Sequence, residues 1–228
     1  MFQHVHPYDI YIPDGTEKLI IGTLPPPRFS FGKLKKRDVN FCYGSCDGLL
    51  WPLLDKIFDL SLIYDNSKEA VDQRKEFLIS QRIGICDIVA SCRREKIESS
   101  DLGMKDITLR DIIVQLERHS SIHTLIFTGG NSKNGPEYLF RKQLRKYGLQ
   151  LECVQDKIPR IHSVTWSNRR ILTISLTSPS SAANRGIGSN QLYKERKLND
   201  PSYTVFQFRL EQYRTVFCSP SNPNKSEF

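Results

Sequence analysis

Apolar residues run unbroken through several short stretches of the chain and recur every three or four positions through others, and the two patterns alternate. Lys18 to Leu24 (KLIIGTL) is stopped by Pro25-Pro26-Pro27, which predicts a buried strand that ends in a loop. Ile83 to Val89 (IGICDIV) and Ile122 to Thr128 (IHTLIFT, closed by Gly129-Gly130) read as buried strands, and Leu149 to Val154 reads as an outer strand. Ile161 to Trp166 and Arg170 to Leu176 (RILTISL) are two more extended segments, separated by a turn at Ser167-Asn168.

Between them lie helical periods. Gly48 to Leu60 carries Leu50, Leu53, Leu54 and Ile57 on one face, with Asp47 placed to cap it and Pro52 in the first turn. Ser67 to Ser80, capped by Asn66 or Ser67, is a second helix, and Leu109, Ile112, Ile113 and Leu116 mark a third. Glu137 to Tyr147 places Phe140, Leu144 and Tyr147 inward and ends at Gly148; a last helix, from about Ser202 to Cys218, puts Phe206, Leu210, Tyr213 and Phe217 on one face. Arg28 to Asp47, Ala90 to Asp106 and Thr177 to Asn190 read as loops, and the segment from Ser219 (SPSNPNKSEF) as a disordered tail. This alternation predicts one α/β domain over residues 1–218, a three-layer α/β/α sandwich with a largely parallel central sheet. Ligands of such sheets bind beyond the carboxyl ends of the strands, so the loops after Leu24, Thr128 and Leu176 should form one site.

Hydrophobic residues at 39% and charged residues at 25% are the usage of a folded chain. Lys and Arg total 33 against 25 Asp and Glu, a formal charge of +8 that suits a polyanionic partner, although a well-solvated positive surface would account for it equally. No apolar stretch has the length of a signal peptide or membrane span, which predicts a cytoplasmic protein without a membrane partner. The six cysteines (Cys42, Cys46, Cys86, Cys92, Cys153, Cys218) are scattered, four of them in or beside apolar runs, and read as reduced thiols. Cys42 and Cys46 lack the further ligands that a zinc or iron-sulfur site needs, so neither metal nor cofactor is expected. His4, His6, His119 and His123 form no constellation, and His162, beside Arg160, reads as structural.

The three strand-end loops have unusual compositions: Gly22-Thr23-Leu24-Pro25-Pro26, Thr128-Gly129-Gly130-Asn131, and Leu176-Thr177-Ser178-Pro179-Ser180-Ser181-Ala182. In order and spacing, from about Lys18 to Phe217, they resemble the uracil-DNA glycosylase superfamily. That family has a Gly-x-x-Pro loop after its first strand, an aromatic-rich segment leading into a helix with Trp, and a late Ser/Pro-rich loop that enters the DNA minor groove. Tyr43-Gly44-Ser45-Cys46-Asp47-Gly48-Leu49-Leu50-Trp51 resembles the aromatic-Gly/Ala-His-Pro-x-Asn-x-Phe-Trp segment of the hypoxanthine-type and mismatch-type branch, and Gly84 to Cys92 resembles that branch's strand and loop.

The resemblance implies a monofunctional, monomeric DNA glycosylase that flips a deaminated or modified base out of duplex or single-stranded DNA and hydrolyses its N-glycosidic bond. Tyr43 takes the place of the family's base-stacking aromatic, and Ser178, Ser180 and Ser181 that of the minor-groove loop, with Asn184 and Arg185 adding phosphate contacts. Thr23 and Leu24 belong to the base-binding loop, and the Asn131 amide offers a donor and an acceptor to a base edge, though it also fits a turn. Leu24 and Gly48 stand where family members carry a catalytic Asn. Hydrolysis needs a water aimed at the anomeric carbon and negative charge beside an oxocarbenium-like sugar, and Asp47 can supply both, or can be a plain helix cap. Lys33, Lys35, Lys36 and Arg37, interleaved with Phe29, Phe31 and Phe41, suit a strand-tracking surface. Two other functions fit the chain: a catalytically silent member that binds modified or structured nucleic acid, and an enzyme acting on free nucleotides. The absence of G-x-x-x-x-G-K-[ST] counts against the second.

Overall fold

In the computed structural model, which describes residues 1–98 and 100–218, the chain folds around a six-stranded sheet. Its strands are β2 (Lys18–Gly22), β3 (Ile83–Asp87), β6 (Thr124–Phe127), β7 (Glu152–Gln155), β8 (Arg160–Trp166) and β9 (Arg169–Ser175), in the order β3-β2-β6-β9-β8-β7. The first four are parallel; β8 and β7 extend the sheet antiparallel to their neighbours. Ser167 and Asn168 both take positive φ in the two-residue turn between β8 and β9, as a tight hairpin requires.

The central strands are apolar throughout because both faces are covered. Leu19 and Ile21 of β2 point to one core with Leu125, Phe127 and Phe140, while Ile20 points to the other with Ile126, Trp51 and Tyr213. Helices α4 (Ile112–Arg118) and α5 (Pro136–Lys146) cover the first face; α2 (Leu50–Phe58), α3 (Lys68–Ser80) and α8 (Val205–Cys218) cover the second. This is the α/β/α sandwich expected from the sequence. Helix caps hold where the sequence places them at α3, where Ser67 accepts from Ala70 N, and Gly148 takes φ +70° just past α5.

Several expectations are corrected. Ala90 to Asp106 is not a loop: β4 (Val89–Arg94) and β5 (Lys105–Leu109) form a separate antiparallel sheet with β1 (Phe2–Val5). Its charged residues hid it, since Arg94 is buried and donates from Nε to His4 Nδ1 at 2.9 Å, a pairing that only the folded chain reveals. The Thr177 to Asn190 loop holds a 3-10 turn, Ser181–Ala183, and α6 (Asn184–Ser189), and the unexpected α7 (Gln191–Asn199) follows, capped by Asn190. Helix α8 starts later than expected because Thr204 and Gln207 bond reciprocally, a capping box. Asp47 does not cap α2, whose N-cap position is Leu49. Tyr147 turns outward and donates to Asp111 at 2.7 Å, and the buried cysteines are three, Cys42, Cys86 and Cys92. The expected tail lies outside the described residues. Among the described residues no helix is long and apolar enough to cross a membrane.

Candidate functional site

One hydroxyl lies where the carboxyl ends of β3, β2 and β6 come together. Tyr43 Oη lies 2.8 Å from Thr128 Oγ1, just past β6. A Cβ on Gly22, the last residue of β2, would stand 2.1 Å from Tyr43 Oη and 2.2 Å from Oδ1 of Asp87, the last residue of β3. Only glycine leaves that space, so the three groups meet because position 22 has no side chain. Tyr43 holds φ +57°, a strained conformation for a tyrosine, which turns its ring inward from the loop before α2. Burial, reinforced by the Asp87 charge, pushes the Tyr43 phenol well above its usual value, so the hydroxyl is neutral and can donate.

Asp87 is buried, and its two oxygens differ. Oδ2 accepts from His6 Nε2 at 2.8 Å, while Oδ1 accepts no hydrogen bond among the described residues. The His6 ring is held in turn by Tyr8, whose carbonyl oxygen lies 2.8 Å from Nδ1. Neither residue was singled out from the sequence, although one signal was present: Asp87 interrupts an otherwise apolar strand.

Thr23, in the loop after β2, donates to Asp101 Oδ2 at 3.1 Å. Burial pushes the Asp101 carboxyl up to about 6, against the Thr23 bond and the nearby Arg94 charge. Leu24 packs against the core beneath this loop. Asn131 is exposed; the buried amide of its loop is Asn134, which donates from Nδ2 to the Asp101 carbonyl at 3.0 Å.

The segment before α2 is built on Asp38. This buried carboxylate takes two bonds from Arg28, at 2.8 and 2.9 Å, and one each from the backbone amides of Lys35 and Cys46. Burial alone would raise its pKa, but these donors outweigh burial and hold the carboxyl well below the usual range. Asp47 lies at the rim with its side chain 58% exposed, 2.7 Å from Lys35 Nζ and 3.1 Å from an Arg28 nitrogen. Its bond to Lys35 holds the carboxyl below its usual value. Asp47 is therefore not part of the Gly22–Tyr43–Asp87 group. Lys33 and Lys36 are exposed and make no ion pair among the described residues, whereas Lys35 is engaged. Phe29 and Phe41 are buried, which leaves Phe31 alone of the three aromatics exposed.

The Ser/Pro loop after β9 abuts the same segment: Leu49 N donates to Pro179 O at 2.8 Å, and Gly48 bridges to Ser180. Arg209 of α8, wholly buried, clamps this loop. It donates to the carbonyls of Ser178 at 2.9 Å and Ser180 at 2.8 Å, and to Asn184 Oδ1 at 2.8 Å, so Asn184 is a structural partner in the clamp. Ser178 Oγ bonds Ser180 Oγ at 3.2 Å, while Ser181 and Arg185 are exposed. Asp47 and Lys35 thus pair with each other apart from the group of Tyr43, Thr128 and Asp87, and the Ser/Pro loop abuts Gly48 and Leu49, just past Asp47. Among the described residues no group of three or more His, Cys, Asp or Glu side chains is placed to hold a metal ion.

No protein-family model and no curated protein matches the chain. A solved structure does: the solution NMR structure of a "putative Uracil DNA glycosylase" from Methanosarcina acetivorans matches 92% of this chain and 99% of its own, with a TM-score of 0.51 and 20% sequence identity. The chain therefore shares that structure's fold, a uracil-DNA-glycosylase-like α/β fold with a mostly parallel central sheet.

Proposed function

We propose that the chain is a monofunctional DNA glycosylase that hydrolyses the N-glycosidic bond of a deaminated or modified base flipped into the cup at the strand ends. The observation that carries this is the pairing above Gly22 of a free acceptor, Asp87 Oδ1, with a neutral donor, the Tyr43 hydroxyl. Uracil, hypoxanthine and xanthine each present a ring N–H beside a carbonyl, the complement of that pair. Tyr43 then reads the base edge through its hydroxyl, in place of the stacking expected from the sequence, by turning its proton from Thr128 to the base carbonyl. A site that hydrogen-bonds its substrate rejects analogues lacking the matching groups far more sharply than an apolar pocket does.

The rim supplies the rest. Asp47, kept ionised by Lys35, can orient a water and stabilise positive charge on the sugar, while the Ser178–Ser181 backbone approaches the phosphates and fills the gap in the stack. Among the described residues no lysine bonds Tyr43, Asp87 or Thr128, in keeping with base release without strand cleavage.

A second function has its own support. Tyr43 Oη stands where an incoming base would have to approach Gly22, and a closed cup suits a silent protein that only binds nucleic acid. The two separate when duplex and single-stranded oligonucleotides bearing uracil, hypoxanthine, xanthine or hydroxymethylated cytosine are incubated with the protein and assayed for abasic sites. Alkali-labile sites are expected on at least one deaminated base. Salt-dependent binding without base release on any substrate would overturn the glycosylase assignment and leave the binding role.

A further inference from the structure

A cleft of about 530 Å³ is lined by the segment from Tyr43 to Cys46, by Gly48 and by α2; it shares Tyr43 with the strand-end group, but neither Asp87, Thr23 nor Thr128 lines it. Arg74, a lining residue carried by α3, is wholly buried and has no carboxylate partner among the described residues. Its Nη1 donates to the carbonyls of Ile63 at 2.9 Å and Ala70 at 2.6 Å, but Nε and Nη2 have no acceptor. The guanidinium lies 5.2 Å from the Trp51 ring centroid and 5.1 Å from that of Tyr64. A buried cation with unused donors is unfavourable unless an anion completes it. Two carboxylates are close enough to act on it, and both are engaged elsewhere: Asp55 accepts from Tyr64 Oη at 3.0 Å and from Leu62 N at 3.3 Å, and Asp65 accepts from Ser67 N at 2.8 Å. Arg37 and Lys56 bring two further cations to the cleft, neither in an ion pair among the described residues, against one further carboxylate, Asp59.

We propose that this cleft binds a phosphate group through Arg74, with Lys56 at its edge and the Tyr64 ring moving aside to admit it. The volume and the aromatic walls of Tyr64 and Phe206 suit a nucleotide better than a bare ion. The phosphate has two possible sources, a free nucleotide or a DNA strand that continues past the rim, since Gly48 belongs to this cleft and is bridged to Ser180 of the Ser/Pro loop. The site does not depend on base excision.

The test follows thermal midpoint and tryptophan fluorescence of the full chain titrated with inorganic phosphate, with dAMP, and with single-stranded oligonucleotides carrying a 5′-phosphate or a 5′-hydroxyl. The chain has two tryptophans, and Trp51 touches Arg74, so its emission reports on the site. With phosphate or dAMP, a saturable fluorescence change is expected, together with a thermal midpoint that keeps rising with the logarithm of ligand concentration, both lost in Arg74→Met and weakened several-fold in Lys56→Ala. Shifts confined to the oligonucleotides, and lost in the same variants, support the site with DNA as the source. Lys56→Ala is a surface change and keeps the test valid if Arg74→Met fails to fold. No shift with any ligand, or equal shifts in wild type and Lys56→Ala, would overturn the proposal.

Discussion

His6 Nε2 lies 2.8 Å from Asp87 Oδ2 and ties the start of the chain to the end of β3, leaving Asp87 Oδ1 with no hydrogen bond among the described residues, the acceptor of the proposed base-reading pair. Asp87→Asn keeps the shape, and its amide oxygen can still accept from His6, but it turns an acceptor-only group into one that must also place two N–H donors. The expected result is a fall of about a hundredfold or more in kcat/KM on the substrate that wild type cleaves, with DNA affinity nearly unchanged. Tyr43→Phe removes the paired donor and should fall in the same direction. If both variants release base at the wild-type rate, the cup does not read the base.

The Asp101 carboxyl, pushed up to about 6, carries a pH signature of definite sign. The folded chain holds this proton more tightly than the unfolded chain does. The stability it contributes is therefore full below the ordinary aspartate range and is lost as pH rises through about 6. Allowing for partial exposure, the change amounts to about 1 to 2 kcal/mol. His4, lowered to about 4 by burial, gives the opposite slope over the same range in both proteins, so the readout is the difference: the thermal midpoint of wild type should fall relative to that of Asp101→Asn as pH rises through about 6. A difference that stays constant across this range would contradict the assignment.

How much of this could be seen beforehand differs between fold and site. The parallel strands were legible because burial on both faces leaves an apolar run with a hard stop, as at Leu19 to Ile21 before the prolines. The three-stranded sheet was not, because Arg94 and His4 are polar residues made acceptable by each other across ninety positions. In the candidate site, composition marks the loops but not the partners of the side chains within them. Asp87 is one charged residue inside an apolar run, whereas Asp47, conspicuous in its motif, is paired with Lys35 and Arg28. Asn184 looked free for phosphate until Arg209, twenty-five positions away, claimed its oxygen. Composition locates a strand-end loop; which oxygen remains unbonded depends on partners distant in sequence.

The lysines of the basic segment should separate by their ion pairing. Lys33 and Lys36 are exposed without ion-pair partners among the described residues, so each can release a counterion on meeting a phosphate, whereas Lys35 already neutralises Asp47. In DNA-binding titrations over a range of salt, Lys33→Ala and Lys36→Ala should each reduce the slope of log K against log salt by about 0.9. Lys35→Ala should change the slope less, because Lys35 is already paired with Asp47, which Arg28 continues to neutralise. Equal slopes for all three variants would show that the Lys35–Asp47 pair opens on binding.

Arg209 sets the shape of the Ser/Pro loop from below. Its side chain is wholly buried, and the acceptors it satisfies, Ser178 O, Ser180 O and Asn184 Oδ1, have no comparable donor if it is removed. Arg209→Met deletes a buried charge, which by itself is favourable, but it leaves three half-buried acceptors without their donor, at about 1 kcal/mol or more each. The net expectation is a loss of about 2 to 4 kcal/mol in urea denaturation. Because the clamp is local, amide hydrogen exchange should speed up across Thr177 to Asn184 while Ile20 and Ile126, in the buried strands, exchange only through global unfolding. DNA affinity should fall with it, since a loop that must order itself on binding has less free energy to offer the minor groove. A variant with wild-type DNA affinity and a faster-exchanging loop would separate the two and remove the Ser/Pro loop from the binding surface.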